Sequence, residues 1–330
     1  MNRTSKYFLG LMAYLLGLAC HIPALGQSKA GDLPIADVHF HFMLFMKPDE
    51  LLERMKKNNI SWVVSSGAIG SPAVGNPWVR DWEVKKYIGN RFVPAVGGSE
   101  TYQAERSEGI KFYTDAQNAR RDAVITRMND LLKDGHRAIV ETFPNAESTS
   151  ADPMRRRRLP TNAPFFKEAM QLAIRYDMPL PMHMQWHPES MHELEALLTE
   201  FPQGRVVWSH CGNTTSAKEV RPLLERFSNV YCDLGFRGMP QLAHDRLRDQ
   251  GRTIYWPEST FKKADLLPDW RQLIEDFPNR FMLSIDDVQS WEEYDAVVAA
   301  NRTGVLDKLS SSTAEKVAYK NAIKVFRLPD

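Results

Sequence analysis

Residues 178–210 read MPLPMHMQWHPESMHELEALLTEFPQGRVVWSH. Residues 178–183 are a short apolar run that ends on His183. Residues 189–201 carry Met191, Leu194, Leu197 and Leu198 at three-to-four spacing, which gathers them on one side of a helix. Residues 205–209 are again a short valine-rich run, followed at once by His210. Strand, covering helix and strand in this order predict a parallel βαβ unit.

The same alternation extends in both directions. Further strands are predicted at residues 35–40, 61–66, 92–96, 138–143, 229–234 and 280–285. Helical periodicity is read at 48–58, 122–132, 163–176, 216–227, 269–277 and 313–326. Eight such units in about 300 residues predict an α/β fold, a closed (β/α)8 TIM barrel, with an open doubly wound sheet as the alternative. Pro/Gly-rich stretches at 67–77, 144–164 and 235–257 each follow a strand and precede a helix. In a barrel that is the C-terminal face, where long loops build the pocket.

The N-terminus reads separately. Arg3 and Lys6 precede an uncharged apolar run at 8–19, too short to cross a bilayer. Ala24-Leu25-Gly26 then supplies the small residues of a cleavage site. Residues 1–26 are therefore expected to be a signal peptide, removed after Gly26, and 27–330 a single exported barrel domain, periplasmic or secreted. A lipid anchor through Cys20 is the alternative, but Gly17-Leu18-Ala19 makes a poor lipidation box. The chain has 42 basic and 41 acidic residues, so nothing in its charge suits a nucleic-acid polyanion. No other apolar run approaches membrane length, so no stable insertion of the mature chain is expected.

The histidines carry the chemistry. His39 and His41 end the first strand in ADVHFH, and residues two apart on a strand project to one face. His183 ends the fifth strand, His210 follows the sixth, and Asp286 and Asp287 end the eighth. The intervals are 142 residues from His41 to His183, 27 from His183 to His210 and 76 from His210 to Asp286. Consecutive βα units would give such spacings, which places all these groups at one rim as a shared metal site.

This pattern resembles the amidohydrolase superfamily, whose signature is HxH on strand one, His on strands five and six, and Asp on strand eight. WSHCG (208–212), FPNRF (277–281) and NAIKVF (321–326) resemble its amidohydrolase-related branch, which includes aminocarboxymuconate semialdehyde decarboxylase. The resemblance spans about residues 35–326. It implies metal ligands His39, His41, His183 and Asp286, with His210 as the non-ligand histidine that orients water or polarises a carbonyl. His210 and Asp286 are then the catalytic residues, Asp286 moving a proton to the leaving group. The strand-eight motif departs from Gly-Ser/Thr-Asp, reading Ser284-Ile285-Asp286, with Asp287 as the fallback. Strand four carries Glu141 and no lysine, so one metal is favoured over two. Glu141 is read as an internal hydrogen-bonding group or, in a two-metal site, a bridge.

Three imidazoles and a carboxylate suit a divalent ion, Zn²⁺ first and Mn²⁺ or Fe²⁺ as alternatives. Such an ion activates water for attack on a small amide, lactone or ester, so a metal-dependent hydrolase is the primary expectation. Non-oxidative decarboxylation of an unsaturated carboxylic acid is the alternative. A ligand-binding barrel without activity is a third reading, against which His210 argues because it has no stabilising task. The expected partner is a small-molecule substrate, with a homodimer left open.

Other features weigh less. Gln185, Trp186 and His187 follow the strand-five histidine, and Trp186 is a candidate substrate platform. Arg237, past strand seven, is a candidate carboxylate clamp. Arg155, Arg156, Arg157 and Arg158 form a charge run expected to be solvated surface, with an anionic-substrate role as the alternative. His136, His192 and His244 are expected to be structural or exposed. Cys211 and Cys232, on neighbouring strands with core-like flanks, are expected to be buried free thiols rather than a disulfide. GxSxG, GxxxxGK[ST], HExxH and GxGxxG motifs are all missing from the places where they would act.

Overall fold

Eight parallel strands pair in sequence order and return to the first. A computed structural model describes residues 30–43, 45–67, 77–147, 155–213, 215–235, 261–262 and 265–329. The expected signal peptide, Arg237, His244 and residues 68–76, 148–154 and 236–257 of the three predicted long loops lie outside the described residues. The strands are β1 (Ile35–Phe40), β2 (Ile60–Ser65), β3 (Phe92–Val93 and Ala95–Val96), β4 (Ala138–Ile139 and Thr142–Asn145), β5 (Pro179–Met184), β6 (Arg205–Ser209), β7 (Val230–Asp233) and β8 (Phe281–Met282). Neighbours are parallel throughout β1–β2–β3–β4 and β4–β5–β6–β7–β8. Closure comes from a parallel bridge between Phe40 and Asp286, with Asp286 N–H donating to the His39 carbonyl at 2.8 Å. The expected (β/α)8 barrel is therefore the fold.

Both faces of a parallel barrel are covered, so its strands are buried throughout rather than alternating buried and exposed. All six residues of β1 and all six of β5 are buried. Helices lie between the strands, and five of them, starting at Pro48, Pro77, Pro164, Pro188 and Pro268, begin on proline, where its missing N–H costs nothing. The helix Ala217–Arg226 is set by a capping box between Ser216 and Glu219. In the helix Pro188–Glu200, Leu194, Leu197 and Leu198 are buried as predicted from their spacing. Burying each contributes about 1.5–3 kcal/mol. The predicted helix at 313–326 is helical from Ser311 to Phe326, but its middle turn, Lys316–Lys320, is π-helical. Four helices among the described residues escaped the periodicity: Pro77–Ile88, Gly98–Glu108, the single turn Lys111–Thr114 and Trp291–Ala300. No helix among the described residues is long and apolar enough to cross a membrane.

Cys211 and Cys232 form a disulfide, which corrects the expectation of free thiols. The reason is tertiary. Parallel β6 and β7 set Trp208 opposite Cys232, and the chain after β6 turns through left-handed backbone at His210 and Cys211. That turn brings the two Cα atoms to 4.9 Å, within disulfide reach.

Candidate metal centre

The barrel geometry gathers His39, His41, His183, His210, Asp233 and Asp286 at the C-terminal ends of β1, β5, β6, β7 and β8 with Glu141 at the break in β4, and all are buried. The Nδ1 of His41 faces the Gly67 carbonyl at 2.8 Å, an oxygen that only accepts, so Nδ1 carries the proton. The Nδ1 of His39 likewise donates to Asp233 Oδ2 at 3.2 Å. In their neutral forms both rings then present an Nε2 lone pair, and the two Nε2 atoms lie 3.0 Å apart. Two lone pairs at that distance repel unless a cation sits between them.

The surrounding oxygens complete a donor set. Asp286 Oδ1 is 3.4 Å from His41 Nε2 and 3.7 Å from His39 Nε2. Glu141 Oε2 is 3.4 Å from His39 Nε2 and 3.7 Å from His41 Nε2. Tetrahedral donors about 2.1 Å from an ion would stand about 3.4 Å from one another, so these spacings fit a divalent metal. Two triads have all their ligand atoms within 4.8 Å, His39–His41–Asp286 and His39–Glu141–His210. Glu141, expected as an internal hydrogen-bonding group or a bridge, stands in the position of a fourth donor. His183 stands behind it, with Nδ1 on Glu141 Oε1 at 3.1 Å. Asp286 faces the imidazoles, while Asp287 takes a hydrogen bond from the Gln289 amide.

His210 lies across the cluster. Its Nε2 is 3.2 Å from Glu141 Oε1, and its Nδ1 is 3.2 Å from the Gly235 carbonyl and 3.3 Å from Asp286 Oδ2. Burial works against its charge, but Asp286, Glu141 and Asp233 outweigh it and raise the His210 pKa. His39 is raised well above the usual histidine value, against burial, by Glu141, Asp286 and Asp233. His183 goes the other way because burial wins, so it favours the neutral form. Burial also opposes the Glu141 carboxylate, yet His39 and His183 hold it well below the usual range.

Local backbone supports this crowding. His210 and Asp286 both adopt left-handed φ, at 56° and 70°, a costly conformation for residues with side chains. Gly235 must lack a side chain, because a Cβ there would meet Ser284 Oγ at 2.4 Å. Gly67, whose carbonyl holds His41, has a φ of 95° and would press a Cβ onto Val140.

Asp233 was missed from sequence. Its Oδ1 accepts from His210 N–H (3.1 Å), Gly235 N–H (3.1 Å) and Ser284 Oγ (2.7 Å), while Oδ2 holds His39. The available signal was an acid at the end of a predicted strand, the same signal that marked Asp286. Trp186 sits past β5 at 38% exposure, and His192 is also exposed. His136 is buried against Trp82 with Nδ1 on the Leu131 carbonyl, a packing role. The arginine run is more engaged than expected: Arg158 pairs with Glu189 and Glu193, and Arg157 with Glu105.

The model of the amidohydrolase family Amidohydro_2 matches residues 146–328, more than half of the chain. The chain belongs to this family. Among solved structures, the chain is similar to an uncharacterized TIM-barrel protein from Bordetella bronchiseptica, with 17% identity, 85% of this chain and 82% of that one covered, and a TM-score of 0.54. It is similar to 2,6-dihydroxybenzoate decarboxylase from Rhizobium, with 12% identity, 90% and 99% coverage and a TM-score of 0.52. A 4-oxalomesaconate hydratase from Rhodopseudomonas palustris has 12% identity, 89% and 95% coverage and a TM-score of 0.52. At these identities the likeness speaks for the barrel alone. No curated protein matches the chain. The family is one of metal-dependent enzymes, and the buried His/Glu/Asp triads suit a divalent ion.

Proposed function

We propose that the protein is a metal-dependent lyase that decarboxylates an unsaturated carboxylic acid without an oxidant. The observation that carries this is a cavity lined by His41 and Glu141 of the metal cluster together with the rings of Tyr113, Phe143 and Phe165. Aromatic walls favour a planar, conjugated substrate over a flexible one. The decarboxylase and hydratase named above, on the same barrel, support the reading as analogy.

His39, His41 and Asp286 would hold one ion, Zn²⁺ by donor type, with Glu141 or His183 as the fourth donor. Such an ion supplies positive charge that draws in the substrate carboxylate and stabilises negative charge developing on the substrate. In the reaction the bond between the carboxyl carbon and the substrate carbon breaks. Its electron pair stays on the substrate carbon, CO₂ leaves, and a proton takes its place. His210, held toward its protonated form between Glu141 and Asp286, is suited to supply that proton. Hydrolysis of an amide, lactone or ester is the second reading, favoured by the family's description as amidohydrolase.

The test incubates zinc-loaded protein with carboxyl-¹³C-labelled unsaturated acids and, in parallel, with amides, lactones and esters. Release of ¹³CO₂ with one solvent proton incorporated supports the lyase. Hydrolysis products without CO₂ reject it in favour of the hydrolase, and neither product leaves the ligand-binding barrel. Export is also proposed: the Cys211–Cys232 disulfide suits an oxidising compartment, as does the leader signature. A mature N-terminus at Gln27 by mass spectrometry would support it, and retention of Met1 would refute it.

A further inference from the structure

We infer that the Cys211–Cys232 disulfide is a positioning device for the metal centre, so that the chain binds its ion tightly only in the oxidised form. The inference rests on the metal-site reading above and adds what holds that site in shape. Each cysteine is the immediate neighbour of a site residue: Cys211 follows His210, and Cys232 precedes Asp233. The bond therefore runs beside the hydrogen bond from His210 N–H to Asp233 Oδ1 (3.1 Å). Asp233 Oδ2 in turn takes the His39 Nδ1 proton, and His39 and His210 belong to one candidate triad.

The backbone shows what the bond restrains. Residues 210–213 have φ of 56°, 46°, 80° and 56°, four left-handed residues in succession. Residues with side chains adopt this conformation singly rather than in runs, and such strain persists only where the surroundings over-determine it. Gly212 takes it freely, and a Cβ there would run into Thr215 Oγ1 and the Trp208 ring. His210, Cys211 and Asn213 have no such freedom. The Asn213 carboxamide does not anchor the turn, because it is buried with no hydrogen-bond partner at either end. Bonds from Asn213 N–H to the His210 carbonyl (3.0 Å) and from Thr215 Oγ1 to the Gly212 carbonyl (3.1 Å) close the turn on itself. The disulfide fastens it covalently to β7, next to Asp233. Both cysteines are fully buried, so the pair is set as the chain folds. Two thiols then give up two protons and two electrons to a disulfide-bearing oxidant, which leaves as its dithiol while the S–S bond forms.

The test is a chelator-competition titration with Zn²⁺ of the oxidised native chain and of Cys211→Ala/Cys232→Ala, each shown folded by circular dichroism at the titration temperature. The variant should bind zinc about 10–100-fold more weakly, the range for loss of a contact that orients a metal ligand. Native protein refolded with a phosphine reductant, removed before titration, stands in if the variant does not fold. Leu194→Ala, a truncation in the core far from the disulfide, lowers stability comparably and should keep the native affinity. Added to Asp233→Asn, the alanine pair should cost little more, because both act through the same contact. Native affinity without the disulfide, an equal loss in Leu194→Ala, or fully additive losses with Asp233→Asn overturns the inference. Failure of the metal reading looks different and takes this inference with it: the native protein would bind zinc no better than His39→Ala/His41→Ala.

Discussion

The two halves of the barrel are built differently and bring different chemistry. From β5 to β8 the pairing is regular, with five consecutive register pairs between β5 and β6, and these strands lie within the residues matched by the family model. From β1 to β4 the ladder is broken: β3 and β4 are each in two pieces, and much of the neighbouring loop structure lies outside the described residues. Yet the irregular half contributes His39, His41 and Glu141, which give two of the three donors in each candidate triad. The regular half contributes the third donor of each triad, His210 and Asp286, together with Asp233, which holds the His39 ring and the His210 backbone. Closure at Phe40 and Asp286 is what joins the two sets. The first half thus supplies most of the candidate donors and the second completes and orients them, so substitutions on the two sides should fail in different ways.

The largest contrast is between metal loss and turnover loss. His39→Ala/His41→Ala should lower the metal content, measured by elemental mass spectrometry, from about one ion per chain to background, and abolish activity with it. His210→Asn should keep the metal and lose about 10²–10⁴-fold in turnover; an equal loss of metal would place His210 among the ligands. Asp233 tests whether the regular half also tunes the chelating half. Asp233→Asn should weaken metal affinity by about 10–100-fold, since it holds the His39 Nδ1 proton. Affinity unchanged in a competition titration would reduce Asp233 to a packing role.

Smaller effects read stability. Cys211→Ser/Cys232→Ser removes a bond spanning 21 residues and should cost roughly 3 kcal/mol in a denaturant titration. Smallest is Asp37→Asn. Asp37 Oδ1 ties β1 to β8 through Ile285 N–H and His39 N–H, while Oδ2 is buried without a partner. Burial pushes the Asp37 pKa up from 3.8 to about 8. An acid whose folded pKa is raised destabilises the fold increasingly as pH rises from its unfolded pKa to its folded one. The asparagine variant should therefore gain over the native protein progressively between about pH 4 and 8 and level off above, read as a rise in melting temperature. A gain independent of pH would show that the carboxyl does not titrate there.

Much of the fold was legible because it rests on local pattern. The bounds of β1 and β6 agree with their apolar runs, and the helix Pro188–Glu200 follows from four apolar side chains on one stripe. The helix Gly98–Glu108 was illegible for a physical reason: its buried residues are Thr101, Ala104 and Glu105, so there is no apolar period to find. Glu105 is buried to receive arginines that lie fifty residues on.

By itself, the sequence determined that eight strands alternate with helices, seven of which it showed, and that His39, His41, His183, His210 and Asp286 stand at strand ends. Those are consequences of periodicity and of side-chain alternation, which act over a few residues. Only the tertiary structure decided that Glu141 stands among the donors, that Asp233 holds two histidine segments at once, and that Cys211 reaches Cys232. It also decided which of four consecutive arginines faces the cavity. These depend on which strand ends meet across a closed barrel and on left-handed turns at His210 and Asp286. Donor spacings of 3 to 4 Å between residues a hundred positions apart are set by that closure, and no local pattern carries them.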